Sequence, residues 1–353
     1  MRSVRDDRFV RACRREPARP TPVWFMRQAG RYLPEYRAVR ARLSLLDIVH
    51  RPDVCAEVTL QPVRRLGVDA AILFSDISVL FEGLGVGFRL EERRGPVVDE
   101  PVRSAAQIEA LRPEEVAERL PFVGETIRLL VRELDVPLIG FAGGPFTLAS
   151  YLIEGAPSRT FVETKRLMHA DPGLWSALMD RLEQAVASLL EAQVRAGASA
   201  VQIFDSWVGA LSPADFDERV APSLRRLVGR VKALGVPVVY FGVETAGLLD
   251  RLAGLGADVI GVDWRVELAE AWRRVDPARH GIQGNLDPAL LRAPWPLVEA
   301  RARAVVEAAA GRPGHIFNLG HGVPPDADPS HLERLVERVH AWTGDAGGDG
   351  HAS

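Results

Sequence analysis

Residues Thr21–Tyr36 read T-P-V-W-F-M-R-Q-A-G-R-Y-L-P-E-Y, an apolar run followed by two arginines. The apolar part, Val23–Met26, predicts a strand that enters a hydrophobic core. Arg27 and Arg31 follow it, on either side of a turn in which Gly30 allows a sharp bend. Because guanidinium groups stay charged and bind carboxylates through paired hydrogen bonds, the stretch predicts an anion site at the end of a strand. The alternative interpretation is a pair of surface arginines engaged in ordinary ion pairs.

Similar apolar runs recur along the chain and alternate with segments of helical pattern. Including the first, they are Val23–Met26, Ala70–Asp76, Pro137–Gly144, Ala200–Ser206, Pro237–Gly242, Val259–Asp263, Gly281–Leu286 and His315–Leu319. Their hydrophobic residues do not strictly alternate, which is typical of parallel strands covered on both faces. Eight such strands with no linker between them predict an α/β fold, a single (β/α)8 TIM-type barrel over residues 1–343, with the active-site cleft at the C-terminal ends of the strands. A doubly wound open sheet is the alternative.

Two segments fall outside this repeat. The stretch Phe88–Val102 predicts a pair of strands that turns at Arg94–Pro96. The residues from Gly344 onward are rich in glycine and aspartate, and they predict a disordered tail over residues 344–353.

Composition narrows the class of protein. The 353 residues are 47% hydrophobic and 26% charged, with a net charge of -3, which is typical of a globular protein with no general attraction to nucleic acid or an anionic membrane. The two cysteines, Cys13 and Cys55, argue against a disulfide scaffold and a thiolate metal site. There is no apolar run of membrane-spanning length and no signal peptide, so we expect a cytoplasmic protein.

Polar residues follow most of the predicted strands, where the active site of a barrel lies. They are Arg27, Arg31, Asp76, Tyr151, Asp205, Ser206, Asp263, Asn285, Asp287 and His321. Each has a structural alternative: Asp76 as a helix cap or arginine partner, Tyr151 as core, and Ser206 as a cap. Asp287 precedes a proline and is expected to cap a helix, whereas Asp205 and Asp263 stay undecided. The glycines beside His321 predict open space around its ring.

Several chemistries lack their motifs. No histidine pair encloses a glutamate at zinc-binding spacing, there is no G-x-S-x-G or Walker-type loop, and no lysine ends a predicted strand. These absences leave a metal-free site that holds an acidic ligand and stabilises charge with fixed groups.

Five motifs in order along the chain identify a resemblance. They are PVWFMRQAGRYLPEY at 22–36, FSDI at 74–77, GFAGGPFTLASY at 140–151, FDSW at 204–207 and NLGHG at 318–322. Together they resemble the uroporphyrinogen decarboxylase family from about Asp6 to His340. One departure is Phe146, where many relatives carry tryptophan, and this exchange of one apolar residue for another puts little in doubt.

The resemblance implies a barrel, a homodimer with facing clefts and no cofactor. The implied reaction converts uroporphyrinogen III, an acidic tetrapyrrole of heme and porphyrin biosynthesis, to coproporphyrinogen III by turning four acetate groups into methyls with loss of CO2. It implies that Asp76, Arg27 and Arg31 are catalytic. It also implies a substrate-binding set: Arg27, Gln28, Ala29, Gly30, Arg31, Asp76, Phe141, Tyr151, Phe204, Ser206 and His321.

The chemistry of such a reaction fits these residue types. Protonating a pyrrole carbon creates a cationic electron sink that lets CO2 leave, and the carboxylate of Asp76 is suited to stabilise that cation and accept pyrrole N–H bonds. The proton donor stays open among Arg27, a bound water and a substrate carboxyl, as do the order of the four decarboxylations and any exchange of intermediates between two clefts.

Two rival functions remain to be weighed against this reading. A cobalamin- or zinc-dependent methyltransferase of the same superfamily needs thiolate ligands near the last strands, and this chain has no cysteine after Cys55. A non-catalytic tetrapyrrole carrier would keep the arginines but has no need of Asp76.

Overall fold

The computed structural model describes residues 7–91 and 94–344 of the chain. The strands in these ranges are β1 Ala71–Ile72, β2 Phe88–Glu91, β3 Gly95–Val98, β4 Leu138–Gly143, β5 Ala200–Asp205, β6 Val238–Gly242, β7 Val259–Gly261, β8 Gly281–Leu286 and β9 His315–Leu319. Strands β1 and β4 to β9 form one seven-stranded sheet in chain order, and every neighbouring pair in it is parallel. The fold is therefore α/β with a curled parallel sheet.

Helices separate the strands and cover the sheet. They are α1 Arg8–Cys13, α2 Pro34–Arg40, α3 Leu45–Val49, α4 Pro52–Leu66, α5 Val79–Gly83, α6 Ala105–Glu109, α7 Val116–Arg119, α8 Pro121–Glu133, α9 Pro145–Glu154, α10 Val162–Ala170, α11 Pro172–Ala196, α12 Pro213–Asp215, α13 Ala221–Lys232, α14 Leu249–Leu252, α15 Leu268–Val275, α16 Trp295–Ala308 and α17 Pro329–Thr343. Because the sheet strands are parallel, their carboxyl ends lie at the same edge, and the loops that follow them meet there.

The first predicted strand, Val23–Met26, is not confirmed as a strand. Val23 forms a single parallel bridge with Phe317 of β9, and its N–H donates to Asp69 Oδ2 at 2.7 Å instead of to a neighbouring strand. A few residues later the chain turns through Arg27, whose φ of 60° is left-handed. A side-chain acceptor at one end and a tight turn at the other leave no length for a ladder, so the sheet has seven strands and the predicted eight are not observed.

The second predicted strand, Ala70–Asp76, is shortened to β1. Beyond it the backbone N–H of Phe74 donates to Thr59 Oγ1 on α4 at 3.0 Å, so the chain is bound to a helix rather than to the sheet there. This early departure leaves Ser75 and Asp76 on a loop at the strand end. The other six predicted sheet strands are confirmed, with bounds that shift by no more than two residues.

The predicted two-stranded excursion is also confirmed, as β2 paired antiparallel with β3. Arg94 lies in the turn, whereas Gly95 and Pro96 already belong to β3. Of the predicted disordered tail, residues 345–353 lie outside the described residues. No helix in the described part of the chain is long and apolar enough to cross a membrane.

Candidate active site

A cavity of about 170 Å³ lies at the carboxyl edge of the sheet. It is lined by Met26, Arg27, Gln28, Ala29, Ile72, Leu73, Phe74, Ser75, Asp76, Ile77, Phe141, Phe204, Ser206, Phe241, His321 and Gly322. Eight residues of the predicted substrate-binding set are among them. Gly30, Arg31 and Tyr151 belong to the predicted set but lie outside this lining.

Three phenylalanines form the apolar wall of the cavity. Phe141 on β4 and Phe204 on β5 meet edge to face with ring centroids 5.5 Å apart, and Phe204 meets Phe241 on β6 at 6.0 Å. Edge-to-face pairs of this kind fix ring orientation and add to the energy of burial. The wall is therefore a rigid apolar surface suited to the face of a large flat or cyclic ligand.

Asp76 lies on the loop after β1 and is half-buried at the cavity. Its Oδ1 accepts hydrogen bonds from the backbone N–H of Ser78 at 2.9 Å and from Ser78 Oγ at 2.6 Å. Since Ser78 directly precedes α5, the structural alternative of a helix-start contact holds for Oδ1. In the described part of the chain, no hydrogen bond to Oδ2 of Asp76 is found.

Arg27 is placed by the loop after β9. Asn318 Oδ1 accepts from the N–H of Met26 at 3.1 Å, and the N–H of Val323 donates to the carbonyl of Met26 at 2.9 Å. The side chain of Arg27 then packs on Gly322, where an added Cβ would lie 2.7 Å from Arg27 Cγ. Only glycine at residue 322 admits this approach, so the last loop of the sheet supports the first arginine.

His321 is half-buried beside the same arginine. Burial is the main cause that lowers the pKa of His321 to about 4, with the charges of Arg27 and Arg265 acting in the same direction and Asp263 opposing them. The imidazole is therefore neutral near pH 7. The open space expected beside its ring is the cavity, which His321 lines, whereas Gly320 is closely packed, since a Cβ added there would lie 2.5 Å from the backbone nitrogen of Trp264.

Tyr151 extends from α9 towards the cavity. Its ring stacks on Trp207 with centroids 4.1 Å apart. Burial raises the pKa of the Tyr151 phenol, the charge of Asp76 raises it further, and Arg27 opposes both. The phenol is thus within electrostatic range of both charged residues of the cavity and stays protonated at neutral pH.

The loop that carries Arg27 and Arg31 has a buried part, which holds it in place, and an exposed part. The buried side chain of Gln28 accepts from the N–H of Phe25 at 3.2 Å and donates to the carbonyl of Ala70 at 3.2 Å, so it holds the loop against β1. Arg31 is exposed, and its carbonyl accepts from Arg37 Nη1 at 2.9 Å. Arg31 thus lies outside the cavity lining, on the exposed part of the loop.

The remaining strand-end aspartates bind their own backbone or neighbouring side chains. Asp205 is fully buried and accepts from Thr147 Oγ1 at 2.7 Å and Tyr240 Oη at 3.1 Å, while burial raises its pKa. Asp263 is also buried, and its Oδ2 pairs with Arg265 at 2.6 Å. Asp287 accepts from the N–H of Ala289 at 2.9 Å, which confirms its role as a cap. The two undecided residues, Asp205 and Asp263, thus have structural partners.

Sequence reasoning did not single out part of the lining: Met26, Ile72, Leu73, Phe74, Ser75, Ile77, Phe241 and Gly322. A signal for Phe241 was present in the sequence, since it precedes the glycine that ends the predicted strand Pro237–Gly242. Across residues 7–91 and 94–344 there is no cluster of three or more His, Cys, Asp or Glu that could hold a metal ion.

The arrangement combines a carboxylate, a guanidinium and a neutral imidazole above an apolar wall. A carboxylate in such a partly desolvated site stabilises N–H donors and positive charge, whereas the guanidinium binds an anionic arm of the same ligand. The cavity therefore suits a ligand with a cationic or N–H-rich centre and acidic side chains.

Comparisons with known proteins bear on the same chain. A family model described as Uroporphyrinogen decarboxylase (URO-D) matches residues 4–342. The uroporphyrinogen decarboxylase of Streptomyces coelicolor is 55% identical over 342 residues, covering 96% of this chain and 95% of that protein. The uroporphyrinogen decarboxylase of Chloroflexus aurantiacus is 51% identical over 341 residues, which cover 95% of this chain and 96% of that protein. Among solved structures, a methyltransferase from Methanosarcina mazei superposes with a TM-score of 0.78 at 21% sequence identity. The match covers 95% of this chain and 98% of the methyltransferase chain, and it shows a similar barrel-type fold only.

Proposed function

The chain belongs to the uroporphyrinogen decarboxylase family, and we propose that its cavity decarboxylates the four acetate side chains of uroporphyrinogen III. The products are coproporphyrinogen III and CO2, and the reaction belongs to heme and porphyrin biosynthesis. The observation that carries the proposal is that the whole-length match coincides with a cavity holding both Asp76 and Arg27. That pair supplies the two opposite charges that the chemistry requires.

Asp76 stabilises the cationic stage of the reaction. Protonation of the ring carbon next to the one that bears the acetate makes the pyrrole cationic and keeps the acetate-bearing carbon in conjugation with that cation. When the bond to the carboxylate breaks, its electron pair moves into the ring and CO2 departs. A proton taken up at the exocyclic carbon, and loss of the first proton from the ring, then give the methyl group. A fixed carboxylate beside the ring lowers the energy of the cation, an effect of roughly 3–4 kcal/mol for one well-placed group.

Arg27 and Arg31 bind the acidic side chains of the substrate. Arg27 lines the cavity and Arg31 lies on the exposed rim of the same loop. A cavity of about 170 Å³ encloses only part of a tetrapyrrole, since pockets that bury a drug-sized ligand measure roughly 300–1,000 Å³. The macrocycle therefore extends over the rim, where Arg31 and the backbone of Ala29 and Gly30 meet its carboxylates.

The other residues of the predicted substrate-binding set contact the faces and the edge of the macrocycle. Phe141 and Phe204 pack against one face of the macrocycle, and Ser206 and Tyr151 meet its edge. His321 is neutral at neutral pH because its pKa is lowered to about 4, so it contacts substrate without serving as the proton donor. The donor is then Arg27, a water or a substrate carboxyl held by Arg27.

We also infer that the segment around Val23 takes the place of the eighth barrel strand. Its support is contact on both sides: the bridge to Phe317 of β9 and the hydrogen bond from the N–H of Asp69 to the carbonyl of Val23 at 2.8 Å. A single barrel domain, a homodimer and a cytoplasmic location stay predictions, and sedimentation of the purified chain tests the dimer.

The experiment is anaerobic incubation of the purified chain with uroporphyrinogen III, followed by counting the carboxyl groups of the products. We expect seven-, six-, five- and four-carboxyl species to accumulate in that order. Substrate that binds and stays unchanged would instead support a non-catalytic tetrapyrrole carrier.

The methyltransferase alternative is disfavoured by the cysteines. Both are buried and free, and burial raises the pKa of the Cys55 thiol to about 12. Zinc in such enzymes binds the deprotonated thiolate, and neither cysteine lines the cavity in the described structure.

A further inference from the structure

Ser78 lies behind Asp76 and is fully buried. It donates two hydrogen bonds to one carboxylate oxygen, from its backbone N–H and from its hydroxyl, at 2.9 and 2.6 Å. The hydroxyl bond has the short length typical of an O–H donor to a charged carboxylate. Neither the sequence motifs nor the proposed mechanism assigns Ser78 a part.

We propose that Ser78 is a positioning residue that fixes the orientation of Asp76 and leaves Oδ2 as the oxygen that meets the substrate. This inference rests on the proposed function and deepens it. A carboxylate oxygen has two lone-pair sites, and Ser78 fills both on Oδ1. The pyrrole N–H groups and the cationic ring then approach Oδ2.

The helix that follows makes Ser78 a rigid support. Ser78 directly precedes α5, in which Val79, Leu80 and Phe81 are buried in the core. Phe81 also contacts the ring of Tyr151, with centroids 6.3 Å apart. The same short helix therefore holds the donor to Asp76 and backs the phenol beside it, so the hydroxyl has little freedom to leave Oδ1.

The charged and titratable groups that face Asp76 come from three other elements. They are Arg27 on the first loop, Tyr151 on α9 and His321 after β9. Tyr151 and His321 are neutral at pH 7, so Arg27 is the cation among these three. With one cation nearby, the two hydrogen bonds from Ser78 are the fixed contacts that hold the Asp76 carboxylate in one orientation.

The decisive variant is Ser78→Ala, which removes the hydroxyl and keeps the backbone N–H. At pH 7 we expect kcat/KM for uroporphyrinogen III to fall about ten-fold, the usual range for one hydrogen bond to a charged group. We expect most of this loss to appear in kcat rather than KM, because the carboxylate is kept but is no longer held in one orientation towards the cationic ring. Ser78→Thr keeps a hydroxyl and should restore both values towards the wild type.

The matched control is Ser223→Ala on α13, where a buried serine hydroxyl donates to the carbonyl of Val220 at 2.9 Å, away from the cavity. It removes the same atoms, and we expect its kcat and kcat/KM to be unchanged. Thermal unfolding midpoints of all variants show whether a loss of activity comes from a loss of folded protein. A folded Ser78→Ala protein with kcat and kcat/KM within two-fold of wild type would overturn the proposal.

A second readout separates this proposal from the function on which it rests. With carbon-13-labelled aspartate, the carboxyl signal of Asp76 is assigned by its loss in Asp76→Asn, and its chemical shift is compared between wild type, Ser78→Ala and Ser223→Ala. A change in this chemical shift in Ser78→Ala alone supports the role of Ser78 even if the wild-type chain releases no CO2, an outcome that defeats only the proposed reaction. An Asp76 carboxyl signal that is the same in wild type and Ser78→Ala contradicts the role of Ser78.

Discussion

Asp76 and Asp205 both follow a strand of the same sheet, yet they have opposite surroundings. Asp76 is half-buried, with Oδ1 bound by Ser78 and Oδ2 without a hydrogen bond within the described residues. Asp205 is fully buried, and both of its oxygens accept hydrogen bonds, from Thr147 and Tyr240. One carboxylate is available to a ligand, whereas the other connects β5 to the start of α9 and to β6.

The difference shows how neighbouring strand ends divide function and stability. A carboxylate with an unoccupied oxygen at a cavity contributes little to folding and much to binding or catalysis. A carboxylate whose oxygens are all bound contributes to folding, because its removal leaves buried donors without acceptors. The predictions below test this division, beginning with the largest effect.

Asp76→Asn should keep the fold and remove most activity. The amide preserves shape but not charge, so it cannot stabilise the cationic ring, and we expect kcat to fall by about 10²–10³-fold. Carboxyl counting of the products measures the rate, and the thermal unfolding midpoint should stay close to that of the wild type. Wild-type turnover in the purified variant would remove Asp76 from its proposed role.

Asp205→Ala should lower the stability of the fold and change the activity little. The Thr147 N–H and hydroxyl and the Tyr240 hydroxyl lose their buried acceptor, and we expect the free energy of unfolding to fall by about 2–4 kcal/mol. Denaturant unfolding gives this value. Below the unfolding transition, the folded variant should keep kcat within a few-fold of the wild type, and an effect on kcat as large as that of Asp76→Asn would break the comparison.

Gly322→Ala tests the support of Arg27 from the last loop. A Cβ at residue 322 would lie 2.7 Å from Arg27 Cγ and force the side chain out of its position. We expect KM to rise about ten-fold, a loss of about 1.4 kcal/mol in binding, with a smaller change in kcat. Gly247→Ala is the control, since nothing lies within 4 Å of a Cβ there. Equal KM values in the two variants would contradict the supporting role of Gly322.

His321→Asn should have the smallest effect, a few-fold loss of kcat/KM. Because the pKa of His321 is lowered to about 4 in the folded chain and is near 6.5 when unfolded, the unfolded state takes up a proton first on acidification. The stability contributed by the neutral ring is therefore present above about pH 6.5 and is lost as the pH falls towards 4. Activity between pH 6 and 8 should have the same pH dependence in both proteins, and a shifted profile there would mean that His321 titrates during catalysis.

Much of the fold follows from the sequence because buried parallel strands have a direct apolar signature. The six sheet strands from β4 to β9 were predicted within two residues, and the cap at Asp287 was predicted from the proline that follows it. The strand at Val23 failed for a reason that a local pattern does not contain. Its N–H binds the side chain of Asp69, a residue far along the chain, and a left-handed turn at Arg27 follows it.

The sequence likewise predicted some features of the candidate site and not others. Residue types and motif order were sufficient to single out Asp76, Arg27, Phe141, Phe204, Ser206 and His321, all of which line one cavity. The residues alone left Asp205 undecided, because it too is an aspartate at a strand end, and it was the family resemblance that pointed to Asp76. The sequence also did not show that Gly320 and Gly322 are closely packed, because a glycine looks the same in a sequence whether it leaves space or lies against a neighbour.

The amino-acid sequence by itself determined the alternation of strands and helices, the family and the residue types of the site, since these depend on local composition and order. Only the tertiary structure decided which carboxylate keeps an oxygen without a hydrogen bond, that Gly322 lies under Arg27 and that Ser78 binds Asp76. These contacts depend on distances and burial set by the packing of whole elements. A hydrogen-bond acceptor is available or occupied only once its neighbours in space are known.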